Sequence, residues 1–217
     1  MPARQLGLPP AVPEELAKGL AAIREAAEVP NAFPVDVQIA AERAAAEPQL
    51  PDLDRTDLEL ITIDPAGSRD LDQALHIARG PSGDFVVSYA IADIAAFVRS
   101  GDPIDREAHR RGTTLYAPDC RTPLHPQVLS EGAASLLPNE IRPALLWTIT
   151  LNHRGQTMSA DVARAKVRSR AQLSYREAQA EIDSGRPRET LMLLKLVGQW
   201  REIREHDRGG VSLKLPQ

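Results

Sequence analysis

Residues Leu60–Ile77 read LITIDPAGSRDLDQALHI, and this stretch organises the rest of the chain. The apolar run Leu60–Ile63 has the composition of a buried strand and delivers Asp64 at its end. Pro65 and Gly67 then break the run, and the chain returns through Asp70 and Asp72 into Ala74-Leu75-His76-Ile77. Three carboxylates therefore stand at the mouth of a strand–loop–strand return. If Asp70–Ile77 is extended, Asp70 and Asp72 leave the same face, and a short loop sets Asp64 beside them. Like charges held that close are stable together only around a shared cation. The donors are hard oxygens, with no cysteine and only His76 near, which points to magnesium or manganese rather than zinc. The alternative for any one of them is an ordinary turn or cap aspartate.

Downstream, Phe85–Ala92 carries Val86, Val87 and Tyr89 and reads as a strand. Asp93 then stands as an N-cap for a short helix over Ile94–Val98. Pro103–Arg111 reads as a helix with Asp105 in its first turn, Arg110 and Arg111 in its last, and Gly112 as its stop. His109 lies among arginines and reads as solvated or capping, and His125, between Leu124 and Pro126, as structural. Tyr116 lies in an extended segment just before Pro118, and aromatic rings in such places stack the bases of single-stranded nucleic acid. The alternative for Tyr116 is a core tyrosine with a satisfied hydroxyl.

Pro143–Leu151 is an apolar strand, turned at Gly155, and Met158–Arg170 alternates strictly on the way back. That alternation puts Arg164, Lys166, Arg168 and Arg170 on one face and Ala163, Ala165 and Val167 on the other. Four cations in a row can follow a phosphate backbone. They can equally be the solvent side of an edge strand, where lysine and arginine discourage aggregation. Ser174 precedes Glu177 by three residues, a capping-box pattern. An amphipathic helix follows over Pro187–His206, and Val211–Leu215 alternates like a strand.

Upstream, Met1–Pro13 is proline-rich. Glu14–Ala27 is a helix with Leu16, Leu20, Ile23 and Ala27 on one side, and Ala40–Ala46 is a second helical stretch. Pro48–Asp57 reads as a linker. Asp52-Leu53-Asp54-Arg55-Thr56 spells a DxDxT phosphatase signature, but that nucleophile must end a buried strand, and Glu47-Pro48-Gln49-Leu50-Pro51 is no such strand. The fold class expected is α+β: a mixed, largely antiparallel sheet flanked by helices. A helical segment and linker (1–55) precede a catalytic region (56–217).

The composition, 42% hydrophobic and 26% charged, is that of a globular protein. Cys120, the single cysteine of the chain, excludes an internal disulfide and fits a reducing, cytoplasmic setting. No apolar run reaches membrane-spanning length, so no membrane partner is expected. With a net charge of −4, affinity for nucleic acid has to come from local basic patches and a bound cation.

Thr62-Ile63-Asp64-Pro65 followed by Asp70-Leu71-Asp72 resembles the signature of the ribonuclease II / ribonuclease R family, whose catalytic unit is the RNB domain. The likeness continues in order through Tyr89–Ile94, Asp105–Ala108, Arg111–Thr113 and Leu115–Pro118. It goes on through Thr122–Pro126, Leu129-Ser130, Ser135-Leu136 and Arg208–Gly210 with Leu215–Gln217. The resemblance implies a metal-dependent hydrolytic exoribonuclease that shortens single-stranded RNA from its 3′ end and releases nucleoside 5′-monophosphates. Asp64, Asp70 and Asp72 would be catalytic and hold Mg²⁺ (or Mn²⁺). Tyr116 would pack near the 3′-terminal nucleotide, and no obligate protein partner is called for. One position departs from the family: a fourth carboxylate usually follows the third, and here Gln73 would take its place as a metal ligand through a neutral oxygen. The resemblance also implies further helices, with an arginine-bearing motif, and an RNA-binding barrel after Gln217. The 217 residues therefore read as a partial RNB domain, with an exposed apolar surface expected near the end. The alternative is a weak or inactive RNA-binding fragment of an RNB-type protein.

Overall fold

The computed structural model describes residues 13–211. Its elements in chain order are α1 (Glu14–Ala26), α2 (Val35–Ala46), β1 (Leu60–Asp64), β2 (Gln73–Arg79), β3 (Phe85–Ala92), α3 (Pro103–Arg111), β4 (Leu115–Tyr116), β5 (Arg121–Thr122), β6 (Ile141–Leu151), β7 (Thr157–Ser174), α4 (Tyr175–Asp183) and α5 (Glu189–Asp207). The long strands close into a five-stranded barrel in the order β1-β2-β3-β6-β7, and β4 and β5 form a separate hairpin. Every pairing in the barrel is antiparallel except β1 with β7, which run parallel and close it. The mixed, largely antiparallel α+β architecture is thus the one expected. Closure was not read from the sequence.

The barrel explains the alanines of its strands. Ala74, Ala90, Ala144 and Ala165 are buried in one cluster with Leu60, Leu71, Leu136, Leu146 and Val167. The inside of a narrow barrel has room for few large side chains, so small residues alternate with outward-facing ones along each strand. On the outside, α5 packs Leu193 and Val197 against Ile77, Phe85 and Leu151. The β6–β7 turn at Gly155, with φ +68°, meets α5 so closely that a Cβ there would lie 2.7 Å from Trp200 Cβ.

Strand β7 pairs with β6 over Thr157–Arg168 and with β1 over Ser169–Ser174, so Arg164, Lys166 and Arg168 lie in the part bound to β6, with a single bridge from Asp54 to Lys166 on the other side. The alternation itself stands, with Ala165 and Val167 buried. Upstream, α2 is longer than expected and is not an independent unit: Val37 and Ala41 share a buried cluster with Phe97, Ile104 and Leu129. No residue of α1 is fully buried among the described residues, and of its apolar side Leu20 is partly covered while Leu16 and Ile23 are exposed. The strand expected at Val211–Leu215 falls largely outside the described residues, as does Met1–Pro13, and Val211 itself is not in a strand. Exposed Ile203 and Val211 lie near the end of the described chain. Among the described residues no helix is long and apolar enough to cross a membrane.

Candidate active site

β1 delivers Asp64 to one end of the barrel, and the loop Pro65–Ser68 folds over it, closed by Ser68 N–H donating to Pro65 O. β2 starts only at Gln73, so Asp70 and Asp72 are not strand residues as expected; they sit in the approach to it. What holds them is Leu71 between them, fully buried. Its N–H donates to Ser135 Oγ (2.9 Å), while the Ser135 hydroxyl donates to Arg69 O (2.5 Å). Leu136 N–H donates to Leu71 O and Ala92 N–H to Asp72 O. With Leu71 anchored inward, Asp70 and Asp72 are left at the surface on either side of it.

Asp64, Asp70 and Asp72 line a single open cavity of about 480 Å³, with Arg69, Tyr116, Arg121 and Glu131. Partial desolvation raises the Asp64 carboxyl above its ordinary value, and the charges of Asp70 and Asp72 add to the shift. Asp72 is raised by desolvation and by Asp70, against the opposing pull of Arg121. The three carboxylates therefore feel one another, as a shared site requires. The donor set is all oxygen and fits a small hard cation. As placed, however, no three His, Cys, Asp or Glu side chains among the described residues converge closely enough to hold a metal. Arg121 stands among these carboxylates: its Nη1 donates to Asp70 Oδ2 (2.5 Å) and its Nη2 to Glu131.

Tyr116 is brought to the site, with its side chain on the rim and 67% of its surface exposed. It also borders a second cavity of about 410 Å³ that continues past Asp70, Asp72 and Gln73 toward Ile91, Leu124 and His125. Gln73 faces this second cavity and not the one shared with Asp64. Its Oε1 accepts a hydrogen bond from the Tyr89 hydroxyl. Burial holds the His125 imidazole below its ordinary pKa, consistent with the structural role expected. His76 is turned to Thr190, 3.1 Å away.

The cations of β7 are not gathered at the cavity. Arg164 donates to buried Asp93 (2.6 Å), Lys166 lies 3.4 Å from Asp54, and Arg170 donates to Thr56 O (2.7 Å). Arg168 Nε is buried without a partner. Asp93 caps its short helix as expected, accepting from Ala95 N–H. Asp54 of the phosphatase-like string accepts from the Thr56 N–H and hydroxyl, a local turn and not a nucleophile. Sequence reasoning missed Arg121, Glu131 and Ser135 as site residues. Ser135 lay within a stretch already matched to a family pattern, whereas nothing local marked Arg121 or Glu131.

The site is thus an open, carboxylate-lined cavity at one end of a closed barrel, beside an exposed aromatic ring. The chain belongs to the RNB domain family, whose model matches residues 53–217. It is 41% identical over 127 residues to Exoribonuclease 2 of Photorhabdus laumondii, covering 58% of this chain and 20% of that protein. It is 35% identical over 152 residues to Ribonuclease R of Escherichia coli, covering 68% of this chain and 19% of that one. The chain thus spans about a fifth of the length of these relatives. Its fold matches Mycoplasma genitalium RNase R in complex with ribose-methylated single-stranded RNA, with TM-score 0.81, 24% identity, and coverage of 93% of this chain and 33% of that one. It also matches yeast Ssd1, a pseudonuclease, with TM-score 0.63, 18% identity, and coverage of 81% and 21%.

Proposed function

We propose that this chain carries the catalytic carboxylates of a metal-dependent hydrolytic exoribonuclease, which shortens single-stranded RNA from its 3′ end and releases nucleoside 5′-monophosphates. The observation that carries this reading is the single cavity lined by Asp64, Asp70, Asp72 and the ring of Tyr116. Membership of a family with relatives named as exoribonucleases supports it. Asp64, Asp70 and Asp72 would hold Mg²⁺, or Mn²⁺ in its place. Such an ion would supply charge stabilisation at the phosphoryl group and lower the pKa of water enough to make hydroxide available for attack.

The chain's own residues do the rest. Tyr116 offers its face to a base at the 3′ end, a contact worth about 1–3 kcal/mol per base in single-strand binders. Asp72, its pKa already raised, is suited to accept a hydrogen bond from the attacking water and orient it. Leu71, clamped by Ser135, fixes the spacing of the two aspartates that flank it. Gln73, tied to the Tyr89 hydroxyl, lines the neighbouring cavity without adding a charge.

A second reading, RNA binding with little or no turnover, is favoured by two observations. Gln73 stands where the family pattern has a carboxylate, and Asp70 is already paired with Arg121. End-labelled single-stranded RNA incubated with and without Mg²⁺ separates the two. The proposed function predicts Mg²⁺-dependent shortening that Asp72→Asn reduces by at least about 10²-fold with binding retained. Binding without shortening by the wild-type chain would establish the second reading.

A further inference from the structure

Arg121 is a cation inside an acidic cavity that the proposed chemistry leaves without a role. It sits on β5 directly across the hairpin from Tyr116, and 29% of its side chain is exposed. It bridges Asp70 and Glu131, which both line the cavity. A planar guanidinium has donors enough to hold two carboxylates at once, and one of these is needed for the metal. With this pairing in place the donor set is chemically suited to a divalent ion, while no three such side chains among the described residues converge to hold one.

We propose that Arg121 is the exchangeable counter-ion of this carboxylate cluster: it neutralises Asp70, holds it toward Glu131, and must be displaced from Asp70 when a divalent ion binds. The inference rests on the metal-dependent reading above. Two electrostatic effects act in the same direction. A positive guanidinium repels the incoming ion, and its hydrogen bond to Asp70 must be broken before that carboxylate can turn to the ion. Arg121 therefore lowers the affinity of the cluster for its cation while suppressing the repulsion among its carboxylates, a positioning role and not a catalytic one.

The test is Mn²⁺ binding to the full chain without RNA, followed by the electron paramagnetic resonance signal of free Mn²⁺. Arg121→Gln is expected to tighten binding by about 3- to 10-fold, the order of effect of removing one nearby unit charge under water-like screening. Arg121→Lys keeps the charge and is expected to stay within about twofold of wild type. Unchanged or weaker binding by Arg121→Gln overturns the proposal while a binding wild type leaves the functional reading standing. A wild type that binds no Mn²⁺ overturns both. Arg121→Met is a second neutral variant. If both neutral variants lose their far-ultraviolet circular dichroism, Arg121 is a structural ion-pair residue and the proposal fails.

Discussion

Asp72 shows what the site costs the fold at the scale of a residue. Its carboxyl, like that of Asp64, titrates above the ordinary value because partial desolvation and neighbouring carboxylates disfavour the charge. A carboxyl with a raised folded pKa binds more protons folded than unfolded, so stability falls as pH rises from the ordinary carboxylate value through the raised one. Without divalent ions the loss is greatest above the raised value. Asp72→Asn is therefore expected to raise the thermal midpoint in chelator by about 1–2 °C, allowing for solvent screening, while abolishing turnover. Scanning calorimetry at pH 7 in a chelating buffer checks it, and a lower midpoint would contradict it. The pair of aspartates and its separation from Asp64 were legible because the spacing is local. Arg121 and Glu131 were not, because their approach to Asp70 depends on how a distant hairpin folds over the barrel.

Elements position the site more than propensity does. Asp70 and Asp72 precede β2 and owe their placement to buried Leu71 and to the double hydrogen bond of Ser135. Ser135→Ala leaves the Leu71 N–H and Arg69 carbonyl without that partner in a buried setting, a cost of about 1–3 kcal/mol. The expected outcome is that loss in denaturant unfolding, together with a fall in kcat larger than any rise in KM, since the aspartates lose their register and Tyr116 does not. Wild-type kcat in this variant would show that the clamp is merely structural. Strand and helix positions were read well where period and caps are strong, as in β3, α3 and the capping box that starts α4. For β7 the alternation described faces and left its neighbours unread. Periodicity says which residues share a side and nothing of how many strands lie beside them.

At the scale of the molecule, antiparallel β1–β2 pairing sets Asp64 beside the approach to β2, and parallel β1–β7 pairing closes the barrel on the other side of β1. The only local trace of closure is the run of inward alanines, a composition that a small domain core also explains. The N-terminal segment joins the same body through α3. Arg111, its side chain 3% exposed, donates to Glu107 and Ala32 O and lies 3.6 Å from the Phe33 ring centroid. The hydrogen bond from Arg110, with that from Arg111, holds the Glu107 carboxyl at about 2. Glu107→Ala strands the buried Arg111 charge and is expected to cost about 3–5 kcal/mol. Because the folded pKa is lowered, the contribution of Glu107 is present above the ordinary glutamate value and is lost as pH falls toward 2. Urea denaturation at pH 7 and pH 3 checks both: the gap between wild type and variant should narrow at the lower pH.

The central claim is that the clustered carboxylates hydrolyse RNA from its 3′ end, and the products report on it most directly. Uniformly labelled single-stranded RNA incubated with the chain and Mg²⁺ is expected to yield nucleoside 5′-monophosphates from the first time point. None should appear with Asp72→Asn or with RNA whose 3′ end is blocked. Internal fragments, products ending in 3′-phosphate, or equal release by Asp72→Asn would contradict it.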